Sequence, residues 1–390
     1  MSTMCLQKKI TKNIMNFIKK LLAIMVITIF LFELTSFGAT KMGLLLINKT
    51  PSAYNAKDGI IQDIMYGRTE REAWGAWHVK NKTFNHWESC FDVLMKFNEV
   101  GARDESFKNL SNNSLILLGD SFAQGFGVSY EDTSQFIIEE NIGFPVANFG
   151  TSGDFGPLQE LIIYDKYRSL PHQGLIIFVL PTNDFTDNDA SFSSVDQKRY
   201  RPYFSPDDKP LVPFYFSNSV KKDAFVTGVN GRLKQFIKKY FWSTNALRTF
   251  LIILRGDTIN KDFSTSYFYD ANTKQQNHLL LAYEEILNLA NDRDVLFVII
   301  PSGNDITRSQ LETEPDSYKQ QVWYQGLEAF ENRRQNKVSV LNLMDYLPAN
   351  TDELFLTCDG HWSPKGNRWA AETITNHIKD NNFFNSSISQ

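Results

Sequence analysis

The chain has 390 residues, enough for one large domain with elaborations or for two domains. Forty basic against forty-four acidic side chains leave a net charge near −4, which argues against a nucleic-acid partner held by phosphate neutralisation. His78, His86, His172, His278, His361 and His377 are scattered, and three cysteines do not make a structural zinc site alone, so neither a metal nor another cofactor is expected.

Lys8, Lys9, Lys12, Lys19 and Lys20 precede an uncharged run over 21–32, which continues over 34–39 and is broken only by Glu33 and a few hydroxyls. That length is close to the ~20 residues that cross a bilayer. The lysine bias predicts residues 1–20 as a cytoplasmic basic tail, 21–39 as a single membrane anchor, and the body outside. A cleaved signal peptide competes, because Ser36 and Gly38 suit positions −3 and −1 of a cut, and a buried core helix is a further alternative. In either export case the body is extracytoplasmic.

Residues 40–110 form a lead segment without clear periodicity, holding Trp74, Trp77, Trp87 and Cys90, and are expected to pack on the domain that follows. From about 111 the pattern alternates strand and helix. Apolar strands are predicted at 115–118, 146–149, 175–180, 295–300 and 338–343. Helices are predicted at 132–140, 156–167, 276–290, 317–332 and 364–378, the last capped by Ser363 with Pro364 behind it. Short, wholly apolar strands alternating with helices indicate a parallel sheet covered on both faces. The third and fourth strands are more than a hundred residues apart, so an insertion is expected at about 186–275. Its aromatic- and proline-rich stretch over 201–216 is either packing or a lid over the substrate. Residues 381–390 read as a frayed polar tail.

Ser121 follows the first strand within Gly119-Asp120-Ser121, and Gly119 and Gly125 permit a tight turn there. The second strand ends in Asn148-Phe149-Gly150-Thr151-Ser152-Gly153-Asp154, and the third in Pro181-Thr182-Asn183-Asp184. Gly153 N–H and the Asn183 amide are candidate donors to an oxyanion. Near the C-terminus, Asp359-Gly360-His361 offers an imidazole as general base and a carboxylate to orient it. Each block alone is more often turn or capping chemistry. Together, the first three, on successive strand ends, make a convergent pocket.

This ordered set resembles the SGNH (GDSL-type) hydrolase superfamily over about 111–380. The resemblance implies a flavodoxin-like three-layer α/β/α domain with Ser121 as nucleophile, His361 as base and Asp359 as its orienter. It also implies an oxyanion hole from Ser121 N–H, Gly153 N–H and the Asn183 side chain. Pro181 stands where the family usually has glycine. A literal Gly303-Asn304-Asp305 follows the fourth strand instead and is read as a decoy. Asp359 lies two residues before the histidine, as in membrane-associated members that resemble alginate-type polysaccharide O-acetyltransferases, whereas many members put the acid three before, where Cys358 stands.

The expected activity is a serine esterase on O-acyl groups, acetyl in the first place, of an extracytoplasmic glycan or small ester. The alternatives are a polysaccharide O-acetyltransferase with the same site, and a non-catalytic assembly protein on this scaffold. Expected partners are the substrate, the membrane and polysaccharide-assembly proteins. Cys90 and Cys358 both follow the apolar run and Cys5 precedes it, so an exported body predicts a Cys90–Cys358 disulfide, with two buried thiols as the alternative.

Overall fold

The structure is a computed structural model that describes residues 2–42, 71–78, 80–88, 90–152, 155–191, 201–204, 233, 236–237, 241–254 and 266–384. Gly153, Asp154, residues 205–216 of the aromatic stretch and the tail beyond 384 lie outside the described residues. The chain falls into two compact units, one of residues 1–50 and 228–261, the other of residues 51–227 and 262–390.

Helix α1, Ser2–Lys41, is longer than the run expected at 21–39. It includes a stretch, Asn13–Thr40, long and apolar enough to cross a membrane, a property that a signal sequence shares. The lead segment holds two antiparallel hairpins, β1 (Arg71–Glu72) with β2 (Gly75–Ala76), and β3 (Thr83–Glu88) with β4 (Phe91–Lys96). Trp74 and Trp77, each 1% exposed, join the main hydrophobic core.

The second unit is built on β5 (Leu115–Leu118), a four-residue helix α2 (Ser121–Gln124), α3 (Ser134–Ile142), β6 (Val146–Asn148), α4 (Pro157–Tyr167), β7 (Gly174–Val179) and the short α5 (Pro181–Asp184). Helix α6, Ser243–Leu254, belongs to the first unit. The second unit resumes with α7 (Tyr267–Asp270), α8 (Thr273–Ala290), β8 (Asp294–Ile299), α9 (Gly303–Leu311), α10 (Val322–Arg333), β9 (Val338–Asn342) and α11 (Pro364–Asp380). The helix expected at 317–332 is a 3-10 turn, Ser317–Gln320, followed by α10.

Strands β5 to β9 form one sheet in the order β6-β5-β7-β8-β9, parallel throughout. Alternate strand residues feed two cores. Ile116, Ile177 and Phe297 pack with α4, α8 and α10 on one face, and Leu117, Phe178 and Val298 with α3 and α11 on the other. This is a three-layer α/β/α arrangement, as the fully apolar strands require. Burying each such Leu, Ile or Phe contributes about 1.5–3 kcal/mol.

The chain runs from β5 outward to β6 and then back across to β7, so strand order reverses there. The loops leaving the C-terminal ends of β5, β6 and β7 open on the crevice this reversal creates. In the insertion, Tyr203, Phe204 and Phe268 are buried in the second unit.

Candidate active site

The first turn after β5 sets the position of Ser121. Gly119 has φ 146°, and a Cβ there meets Ala123 Cβ and Phe178 Cβ, each at 2.9 Å. Gly125 ends α2 in the left-handed region at φ 75°, where a Cβ collides with Thr133 Cγ2. Between these glycines the backbone turns directly from strand into helix. Asp120 caps α2 by accepting from Phe122 N at 2.9 Å. Arg103, almost fully buried, donates to the carbonyls of Gln124 (2.9 Å), Gly125 and Val128 (2.6 Å), closing the other end of the turn.

His361 arrives from the loop before α11. Its Nε2 lies 2.6 Å from Ser121 Oγ, across 240 residues of sequence. Its Nδ1 bonds Asp359 Oδ1, which also accepts from His361 N at 3.1 Å. With Nδ1–H donating to the carboxylate, the Nε2 lone pair faces the serine hydroxyl, the tautomer a general base needs. The imidazole is stacked on Phe126, with centroids 4.2 Å apart, and tilted against Phe122 at 5.0 Å. Phe126 in turn meets Phe91 and His86 of the β3–β4 hairpin edge-on. Cys90, beside that hairpin, is bonded to Cys358 with Cα atoms 5.6 Å apart, 268 residues distant in sequence. The loop carrying Asp359 and His361 is thus tied to the lead segment both covalently and by ring contacts.

Asn183 occupies the first turn after β7 and donates its amide to Asp120 Oδ2 at 2.7 Å. An amide has a second N–H, so this bond fixes the group and leaves a donor to spare. Burial pushes the Asp120 carboxyl up to about 6, opposed by the Phe122 amide, the nearby His361 and the Asn183 amide. Asn304 is elsewhere, on α9 behind β8.

The β6 loop is held by its own Asn148 and by three groups that sequence reasoning missed, Asp104, Gln124 and His78. Asn148 donates Nδ2 to Ala123 O at 2.7 Å and accepts from Gly150 N at 2.8 Å, while its own N–H reaches Asp104 at 2.8 Å. Gln124 accepts from Ser152 N at 3.1 Å and points its amide nitrogen at His78 Nε2, 2.8 Å away. That same Nε2 accepts from Thr151 Oγ1 at 3.0 Å, while His78 Nδ1 donates to Gly101 O at 2.8 Å. Burial drives His78 down to about 3, so it is neutral and acts as a fixed acceptor. His78 comes from the lead segment, and no spacing in the chain points from it to residues 124 or 151. Ser121, Asp359, His361 and Asn183 are brought together, and Gly153 lies just past the described part of the loop.

Residues 261–390 match the family model described as the SGNH hydrolase-like domain of the acetyltransferase AlgX, a match over the last third of the chain. It includes Asp359 and His361 and excludes Ser121. No curated protein matches the chain. Among solved structures, the chain is similar to a lipolytic protein of the G-D-S-L family from Veillonella parvula, 12% identical, covering 68% of this chain and 98% of that one with a TM-score of 0.34. It is similar to an acetyl xylan esterase from the rumen bacterium Butyrivibrio proteoclasticus, 11% identical over 70% of this chain and 65% of that one, TM-score 0.37. A salicylyl-acyltransferase from a tetracycline biosynthetic pathway is 14% identical over 68% of this chain and 55% of that one, TM-score 0.35. The family match and the parallel α/β/α sheet support an SGNH/GDSL-type superfamily member.

Proposed function

We propose that this SGNH-type chain is a serine-dependent acyl-transfer enzyme that removes O-acyl groups, in the first place acetyl, from an extracytoplasmic glycan or related ester. The observation that carries this reading is the 2.6 Å contact between Ser121 Oγ and His361 Nε2, with Asp359 on the opposite ring nitrogen.

Ser121 Oγ attacks the ester carbonyl carbon while its proton passes to His361 Nε2. The negative charge on the carbonyl oxygen is met by the spare Asn183 N–H and by the Ser121 and Gly153 amides, each donor contributing about 3 kcal/mol to the lowered barrier. The tetrahedral species collapses, the C–O bond to the alcohol breaks, and His361 returns the proton to the departing alkoxide. A second hydroxyl, from water or a sugar, then attacks the acyl-serine and gives its proton to His361; collapse of this second tetrahedral species breaks the bond to Ser121 Oγ, which takes the proton back from His361. Asp359 keeps the ring oriented and stabilises the imidazolium throughout.

Only the second acceptor separates an esterase from an acetyltransferase. The match to an acetyltransferase-derived domain favours the transferase as the second reading. In both, α1 serves as the membrane anchor with its N-terminus inside, and polysaccharide-assembly proteins are the expected neighbours. The test is to incubate the detergent-extracted full chain with an aryl acetate, with and without a glycan acceptor. Hydrolysis lost in Ser121→Ala supports the esterase, and acetylated glycan supports the transferase. No acyl-enzyme and no turnover overturns both in favour of a non-catalytic assembly role.

A further inference from the structure

The first unit is built inside out. Within Asn13–Thr40, Glu33 is the one acidic side chain, and it does not face outward unpaired. Its carboxylate accepts from Ser243 N at 3.1 Å and from Ser243 Oγ, at the first residue of α6 and 210 positions further on. Ser36 and Thr40 lie three and seven residues beyond Glu33 on the same stripe and are 3% and 5% exposed. Leu31, Phe32 and Leu34, off that stripe, are each more than half exposed.

Helix α6 repeats the pattern. Asn245 and Thr249, one turn apart, are buried, and Asn245 Nδ2 donates to Thr40 Oγ1 at 3.3 Å. Leu247, Phe250, Leu251 and Leu254 point outward at 59%, 55%, 42% and 65% exposure. Phe37 and Trp242 close the contact edge-on at 5.1 Å.

A helix pair in water buries its apolar stripe and solvates its polar one. This pair does the reverse. Hydroxyl and amide side chains against a neighbouring helix, with leucine and phenylalanine outside, is the arrangement that hydrocarbon selects, because lipid offers polar groups no partner. A carboxylate in that setting is stabilised by a helix-terminal N–H and a hydroxyl, both of which Ser243 of α6 supplies.

We propose that α6 is a second membrane-embedded element, lying in the bilayer beside the C-terminal turns of α1 with its apolar face against lipid. Its 12 residues extend about 18 Å, short of the ~30 Å hydrocarbon core, so it enters the membrane without crossing it. The sequence ahead of it alternates Arg232, Lys234, Lys238 and Lys239 with the exposed Leu233, Phe236 and Ile237, the composition of a segment at the lipid headgroups. The proposal also decides between the two fates of α1. A cut after Gly38 removes Glu33 and Ser36 and strips α6 of its partner, so α1 is retained. None of this depends on the acyl chemistry.

The test uses the full chain in phosphatidylcholine–phosphatidylglycerol vesicles, with Cys5→Ser and the Cys90–Cys358 bond left oxidised. A spin label is placed at Leu251→Cys, and in a second protein at Leu311→Cys, whose site on α9 is 74% exposed. Dissolved oxygen, which concentrates in lipid, is expected to relax the label at 251 several-fold more than a water-soluble nickel chelate does, and the order is expected to reverse at 311. Glu33→Ala is expected to raise nickel access at 251, whereas Glu33→Gln, which keeps an acceptor oxygen, is not. Equal nickel access at 251 and 311 overturns the proposal. So does shielding at 251 from both reagents that appears only at high protein density, since another copy then covers α6. A membrane-extracted chain whose first residue lies beyond 38 also overturns it.

Discussion

Asp120 does two jobs with one carboxylate. Oδ1 caps α2 and so fixes where Ser121 enters the crevice, and Oδ2 holds the Asn183 amide. Asp120→Asn keeps the shape but turns one acceptor oxygen into a second N–H2, which cannot serve both donors. Steady-state turnover of an aryl acetate by this variant is expected to fall by about 10²-fold, through misplacement of Asn183. Asn183→Ala is expected to lose about 10²–10³-fold directly, and Asn304→Ala to behave as wild type because it sits behind a different strand. The opposite ranking of the two asparagines transfers the oxyanion role to α9.

At the scale of elements, the base loop and the β6 loop are both braced by the lead segment. The Cys90–Cys358 bond and the Phe91–Phe126–His361 contacts hold one, and His78 through Gln124 and Thr151 holds the other. Closing a loop of 268 residues stabilises the fold by up to about 5.6 kcal/mol in the chain-entropy account. Reduction is expected to lower turnover before the far-ultraviolet dichroism of the five-stranded sheet changes, because the bond joins the turn between β3 and β4 to the loop of Asp359 and His361, outside that sheet. Simultaneous loss of both signals shows the bond to be a global staple instead. Gln124→Ala leaves Ser152 N without its acceptor and His78 Nε2 with Thr151 as its one remaining donor, a loss of about 1–3 kcal/mol. Its expected mark is a turnover loss that exceeds any change in KM, since the groups lie behind the reacting atoms.

Strands β5, β7 and β8 were legible because each is apolar on both sides, β9 because three of its five residues are Val or Leu, Ser121 and Asn183 because they stand in short blocks at strand ends, and His361 because it stands in a short block before the last helix. The β3–β4 hairpin was not, since Thr-Phe-Asn-His-Trp-Glu shows no clean two-residue period. His78, Gln124 and Phe126 act only through contacts made after folding, and residues remote in the chain leave no local pattern. Glu33 was visible as a flaw in an apolar run; its partner, 210 residues away, was not.

Taken as a whole molecule, the second unit carries an ionisable burden beneath its own site. Glu160 on α4 and Asp184 on α5 are both buried, and Asp184 accepts from Leu180 N at 2.8 Å and Tyr283 OH at 3.1 Å. The Glu160 oxygens and Asp184 Oδ1 meet no hydrogen-bond donor among the described residues. Burial first, and then their mutual repulsion and that of Asp120, raise Asp184 well above its ordinary 3.8; burial and Asp120 do the same to Glu160 from 4.5. A raised carboxyl means that the folded state keeps a proton which the unfolded chain releases. Stability from these groups is therefore fully present below the unfolded values and declines as pH rises towards the folded ones, by about 1.4 kcal/mol per pH unit for each whole proton of difference. Glu160→Gln removes one such proton without changing the side chain's size. Urea unfolding is expected to show the variant gaining on wild type as pH rises from about 5 to about 8, with no gain at the acid end. A variant that instead falls behind wild type as pH rises would mean that Glu160 is ionised in the folded protein and held by a partner, and the proton-retaining account of this cluster would be wrong.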